Sequence, residues 1–364
     1  MVLVTECMLV VHTGEKRMKQ TILGAAVAAV AALCGASAAM AQQPTLYVGS
    51  YGGSTEKAFK EKIIPAFEAR HKVKVVYVAG NSTDTLAKLQ AQKARPELDV
   101  VLLDDGPMYQ AVQFGFCDAI KDAPVYKDLY PLAKIGDNRA TAIGVVATGL
   151  VYNTEAFRKA GLQKPDSWEA LTDKKYRQKI AIPPISNTYG LQTLMVFAKL
   201  RKGSDQNIDP GFTALTREVG PNVLAWEPSP GKMTELFQNG DVTLAVWGSG
   251  RVQSLKDTGF PVEFVYPKEG APALLTAACP VVQSDVPEQS QAFVQHLLTP
   301  EVQAILADSQ GWGPVNGKVR LEPKVAAKVP YGKEQIDKLL PTNWTLVNEK
   351  RAEWTNRWNR TVER

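Results

Sequence analysis

Histidine is scarce in this chain, with three among 364 residues. His71 in "EARHK" and His296 in "VQHLL" lie beyond the leader described below, and both read as structural. No histidine or cysteine spacing matches a zinc site. No GxSxG elbow occurs, because "WGSGR" sets a glycine too close to its serine. S-x-x-K appears at Ser54–Lys57 and Ser229–Lys232, but no K-T-G accompanies it. A hydrolase is therefore a poor reading, and no cofactor is indicated. No basic run with interleaved aromatics is present, so nucleic acid is not a partner. Low-complexity tracts and internal repeats are absent too.

Charge is nearly balanced. The chain carries a net +5. Removing residues 1–41 takes three basic and two acidic side chains, leaving +4. That removal is expected, because "MKQTILGAAVAAVAALCGASAAMAQQ" has a basic start, an apolar stretch from Ile22 to Leu33 and an Ala39-Met40-Ala41 cleavage site. The apolar stretch is too short to span a membrane. Cleavage is placed after Ala41, and residues 1–17 read as an upstream leader. Cys34 lacks the leucine three positions before it that a lipoprotein signal carries.

Four cysteines are present, and Cys7 and Cys34 leave with the leader. Cys117 and Cys279 remain, in an exported and oxidising compartment. A disulfide is open to them. Their apolar settings, "FGFCDAI" and "TAACPVV", favour two separate small buried residues instead.

What is present is an alternating αβ pattern. "TLYV", "VKVVYVAG" and "LDVVLLD" read as strands, and each is followed by a helical stretch. This predicts βαβαβα and a parallel sheet. "TAIGVVATGLVYNT" (141–154) and "APALLTAACPVV" (271–282) are long apolar strands that flank a second αβ unit. Two crossings between two lobes follow. The first lobe is expected at 44–146 plus 275–320, and the second at 147–274. A helical segment over 321–364, rich in Trp and Arg, packs on the lobes. The fold class is α/β, with each lobe a sheet flanked by helices and a cleft between them.

The chain resembles the periplasmic substrate-binding proteins of ABC importers, in the polyamine (spermidine/putrescine) and iron-type extracellular solute-binding group. The leader running into "TLYVGSYGG" carries the resemblance, with "FKEKIIPAFEARHKVKV", "LDVVLLDDGPMYQAVQFG" and "ATGLVYNTEAF". "PDSWEALTDKKYRQKIAIP", "LFQNGDVTLAVWGSG" and "LLTPEVQAILADSQGWGPVN" complete it across the mature chain. It implies a type II binding fold, hinge closure on a small-molecule solute, no catalysis and no metal. It also implies a periplasmic monomer partnered by a permease of the inner membrane. A periplasmic sensing module is the alternative.

Open parallel sheets bind ligands beyond the carboxyl ends of their strands. That rule selects Ser50, Tyr51, Gly52 and Gly53 after the first strand, and Asn81 and Ser82 after the second. Asp104 and Asp105 follow the third, and Thr148 lies near the first crossing. The second lobe offers Asn187, Thr188 and Tyr189, then Trp226 and Ser229, then Trp247, Ser249 and Arg251. Several have plainer roles open to them. Asn81 and Ser82 serve equally as helix caps, and Gly52 and Gly53 as a tight turn. "VWGSGR" places serine and arginine where a polyamine binder needs an acid. Arg251 and the helix starts suit a carboxylate or phosphonate. An amino acid or aminophosphonate would also satisfy Asp104 or Asp105.

Overall fold

The computed structural model describes residues 43–363. The leader and its expected cleavage site lie outside them. β1 (Thr45–Tyr51) leads into α1 (Ser54–Ala58), a π-helical segment (Phe59–Ile63) and α2 (Ile64–His71). Pro65 in the first turn of α2 has no N–H to give the preceding turn. The π segment absorbs that missing bond, so one expected helix becomes three joined pieces. β2 (Lys74–Gly80), α3 (Ser82–Ala91), β3 (Val100–Asp104) and α4 (Asp105–Gln113) follow. β1 pairs in parallel with β2 and with β3.

β4 (Ala140–Asn153) comes next, and all 14 of its residues are buried. After it come α5 (Thr154–Lys159), β5 (Ile180–Ile182), α6 (Thr188–Leu200), α7 (Asp209–Ala214) and β6 (Val223–Trp226). Then follow α8 (Pro230–Gln238), β7 (Leu244–Gly248), α9 (Ser249–Asp257) and β8 (Val262–Val265). β9 (Ala271–Pro280) precedes α10 (Pro287–Leu297) and α11 (Pro300–Gln310). Two short helical turns, Pro323–Ala326 and Lys333–Asp337, lead to α12 (Trp344–Thr361).

The strands run in the order β2-β1-β3-β9-β4-β7-β5-β6, with β8 also against β4. β4 belongs to both halves of this sheet. Thr141–Ala147 pair antiparallel with β9, whereas Thr148–Asn153 pair with β7 and β8. A strand apolar on both faces over this length needs cover along all of it, and both halves supply that cover. One buried cluster takes β1, β3, the first half of β4, β9, α10 and α11. Two others take the second half of β4, α6, β7 and α9. Trp344, Val347, Trp354 and Trp358 of α12 join the cluster of α6.

Cys117 and Cys279 form a disulfide, with Cα atoms 5.6 Å apart. This corrects the expectation of two separate cysteines. The backbones bring them together through an antiparallel bridge between Cys117 and Val281. They stand 162 positions apart in sequence, and the apolar neighbours of each gave no sign of proximity.

Candidate functional site

The carboxyl ends of β1, β3, β5, β6 and β7 open onto a single cavity of about 810 Å3. Helix starts surround it. The first turns of α3, α4, α6, α8 and α9 all line it, so five positive dipole ends converge.

Tyr51 and Asp104 form the first wall. The Tyr51 hydroxyl donates to Asp104 Oδ1 at 2.8 Å, and Ser82 Oγ accepts from the Asp104 backbone N–H at 3.0 Å. Burial pushes the Asp104 carboxyl above its ordinary range, while Tyr51, Ser82 and the Arg251 guanidinium pull it back. Burial, with the Asp104 charge beside it, raises the Tyr51 hydroxyl well above its usual value. Trp312 stands edge-on to Tyr51, with centroids 6.1 Å apart. Asn81 caps α3 by accepting from Asp84 N–H at 2.8 Å, and it also lines the cavity.

The second wall is built from α6, α8 and α9. Asn187 caps α6 by accepting from Tyr189 N–H at 3.0 Å, and Ser229 caps α8 by accepting from Lys232 N–H at 3.4 Å. The Tyr189 hydroxyl lies against the backbone of Gly248, where an added Cβ would stand 2.2 Å from it. Burial pushes this hydroxyl up to about 12, with Arg251 lowering it and Asp104 raising it. Tyr189, Arg251 and Asp104 therefore sense one another across the cleft. Trp247 is only 3 % exposed yet reaches the cavity. Arg251 is exposed on the first turn of α9 and makes no ion pair among the described residues.

The structure gathers Tyr51, Gly52, Asn81, Ser82 and Asp104 on one side of the cavity. Asn187, Thr188, Tyr189, Ser229, Trp247 and Arg251 stand on the other. Six expected residues do not line it. Ser50 is buried beneath the β1 turn. Gly53 has φ +71°, which allows the chain to turn from β1 into α1. Asp105 is 2 % exposed and accepts from the backbone N–H groups of Gly106 and Leu275. Thr148 donates to Gln192 Oε1 inside the core. Trp226 packs edge-on against Trp358, with centroids 5.0 Å apart. Ser249 Oγ accepts from Ala147 N–H of β4 at 3.1 Å.

Other residues were not selected from the sequence. Thr276 on β9, Gln310 at the end of α11 and Glu227 after β6 all line the cavity. Gln310 accepts from Thr55 Oγ1 at 2.9 Å, tying α11 to the start of α1. Asn348, Arg351 and Thr355 of α12 line it as well. The signal was a polar face at i, i+3 and i+7 on a helix otherwise read as packing. Among the described residues, no three His, Cys, Asp or Glu side chains gather as a metal site would require.

A sheet in two halves with one shared strand, and a polar cleft at the strand carboxyl ends, define a two-lobed solute-binding fold. Residues 62–331 match the family of bacterial extracellular solute-binding proteins, and the chain belongs to that family. An uncharacterized protein of Haemophilus influenzae is 28% identical over 217 residues, which are 58% of this chain. That match spans 61% of the relative's own length. A probable ABC transporter periplasmic-binding protein of Sinorhizobium fredii is 24% identical over 94% of this chain and 92% of its own. Among solved structures, an ABC transporter protein from Clostridium perfringens superposes with TM-score 0.76 at 25% identity, covering 87% of this chain and 99% of that one. The periplasmic binding protein AfuA from Actinobacillus pleuropneumoniae, with exogenous fructose-6-phosphate bound, gives 0.69 at 22% identity, over 88% and 99%.

Proposed function

We propose that this protein is the periplasmic capture component of an ABC importer, taking a small charged organic solute that carries an anionic group. Arg251 carries the reading. It faces the cavity from a helix start, has no ion-pair partner among the described residues, and lies where five helix starts converge. An anion there gains a charge-assisted contact and a favourable dipole field. Asp104, with Tyr51 beside it, offers a place for an amine or hydroxyl of the same solute. An amino acid or aminophosphonate fits both ends. A polyamine would meet Arg251 with no acid on the second wall except Glu227, whose Oε1 accepts from Ser229 N–H.

In this reading the leader directs export and is cleaved after Ala41. Residues 44–146 with 275–320 form the first lobe and 147–274 the second, and β4 and the return into β9 are the hinge. Solute contacts one wall, the other closes over it, and the closed surface is offered to the permease.

A thermal-shift screen of amino acids, phosphonates and polyamines against the mature protein tests this, since a solute binding only the folded state raises the melting temperature. Trp247→Ala should abolish most of that shift while the unliganded protein stays folded. A shift produced by polyamines alone would contradict the reading.

A further inference from the structure

The C-terminal helix carries a second cation into the cleft. Arg351 lines the cavity from α12, half-buried, and makes no ion pair among the described residues. Its guanidinium lies 5.8 Å from the centre of the Trp344 ring. That ring is seated on the start of α4, where a Cβ on Gly106 would stand 2.7 Å from Trp344 Cζ3. Asn348, between them on the same face, donates to the Gly106 carbonyl at 3.2 Å. Its own Oδ1 is buried and has no partner among the described residues. Trp344, Asn348, Arg351 and Thr355 follow one helical stripe, and its last three members face the cavity.

The two arginines occupy different positions. Arg251 acts electrostatically on Asp104 and Tyr189. Arg351 feels the field of Asp105 but forms no ion pair with it, because the Asp105 oxygens are taken by backbone N–H groups. Burial lowers the Arg351 guanidinium below its ordinary value, which marks the cost of holding it out of water. A half-buried cation without a carboxylate partner is unfavourable until an anion arrives.

We propose that Arg351, together with Asn348 and Thr355, is a second anion-binding position of the cleft, so that the solute carries two anionic groups. One group meets Arg251 and the other meets Arg351, while Asp104 takes an amine or hydroxyl between them. Acidic amino acids and carboxylate–phosphonate compounds have this character. The inference rests on the reading of the cleft as an anion site and names the class of solute it selects.

Calorimetric titration with matched probes tests it. Succinate, glutarate, aspartate, glutamate and phosphonoacetate are compared with their one-anion counterparts butyrate, valerate, asparagine, glutamine and acetate. Wild-type protein should prefer a two-anion probe over its counterpart by roughly tenfold or more, and Arg351→Gln should collapse that ratio toward unity. If Arg351→Gln fails to fold, Arg351→Lys serves, because losing the planar fork should still reduce the ratio several-fold. A ratio unchanged in the variant, or no preference in wild type, overturns the inference and leaves the anion reading standing. Failure of every anionic probe to bind wild type overturns both.

Discussion

Asp105 shows how one carboxyl can look like a ligand and serve the fold. It follows Asp104 directly, but its side chain turns inward to backbone N–H groups of α4 and β9. Burial pushes it up to about 7. A carboxyl raised above its unfolded value holds its proton longer in the native state. Its contribution is therefore largest at acid pH and is lost as pH rises from the unfolded value through about 7. Thermal melts of wild type should decline over that window by more than melts of Asp105→Asn, and equal slopes would show that Asp105 does not titrate there. Tyr51→Phe makes the complementary prediction in the cleft. It removes the donor to Asp104, so solute affinity should fall while the fold is kept, as titration would show. Sequence position alone could not separate Asp104 from Asp105. Asp104 ends β3 and Asp105 opens α4, and only the turn between them decides which one faces the cleft.

At the scale of elements, α6 is tied to the crossing strand by one side chain. Gln192 accepts from Thr148 of β4 and donates to the Ala273 carbonyl at 2.7 Å and to Thr342 Oγ1 at 3.1 Å. Gln192→Ala strands buried polar groups on three segments, at a cost of about 2–3 kcal/mol by denaturant unfolding. An unchanged midpoint would mean that the network contributes nothing net. The strands and most helices were legible because apolar runs and glycine turns repeat at regular spacing. β4 and β9 stood out by unbroken apolar length. The part played by α12 was not legible. Its Trp residues signalled packing, and they do pack on the second half. Its polar stripe meets the cleft only because Trp344 settles on Gly106, far away in sequence. Gly106→Val should unseat that ring, lowering both melting temperature and affinity. Loss of stability with full affinity would separate α12 from the site.

The whole molecule is held by ties that sequence could not pair. The Cys117–Cys279 disulfide closes a chain span of 162 residues within the first buried cluster. Replacing both cysteines with serine should lower stability by about 2–5 kcal/mol, read as a reduced denaturant midpoint. The bond lies away from the cavity, so solute affinity should persist. The proposed binding depends instead on two walls that share β4, with Tyr51 and Asp104 on one and Tyr189 and Arg251 on the other. The most direct test of this account is a calorimetric titration of the strongest anionic solute from the screen against wild type and Arg251→Gln. The account predicts binding at least about tenfold weaker in the variant. Equal affinity in the two proteins would contradict it.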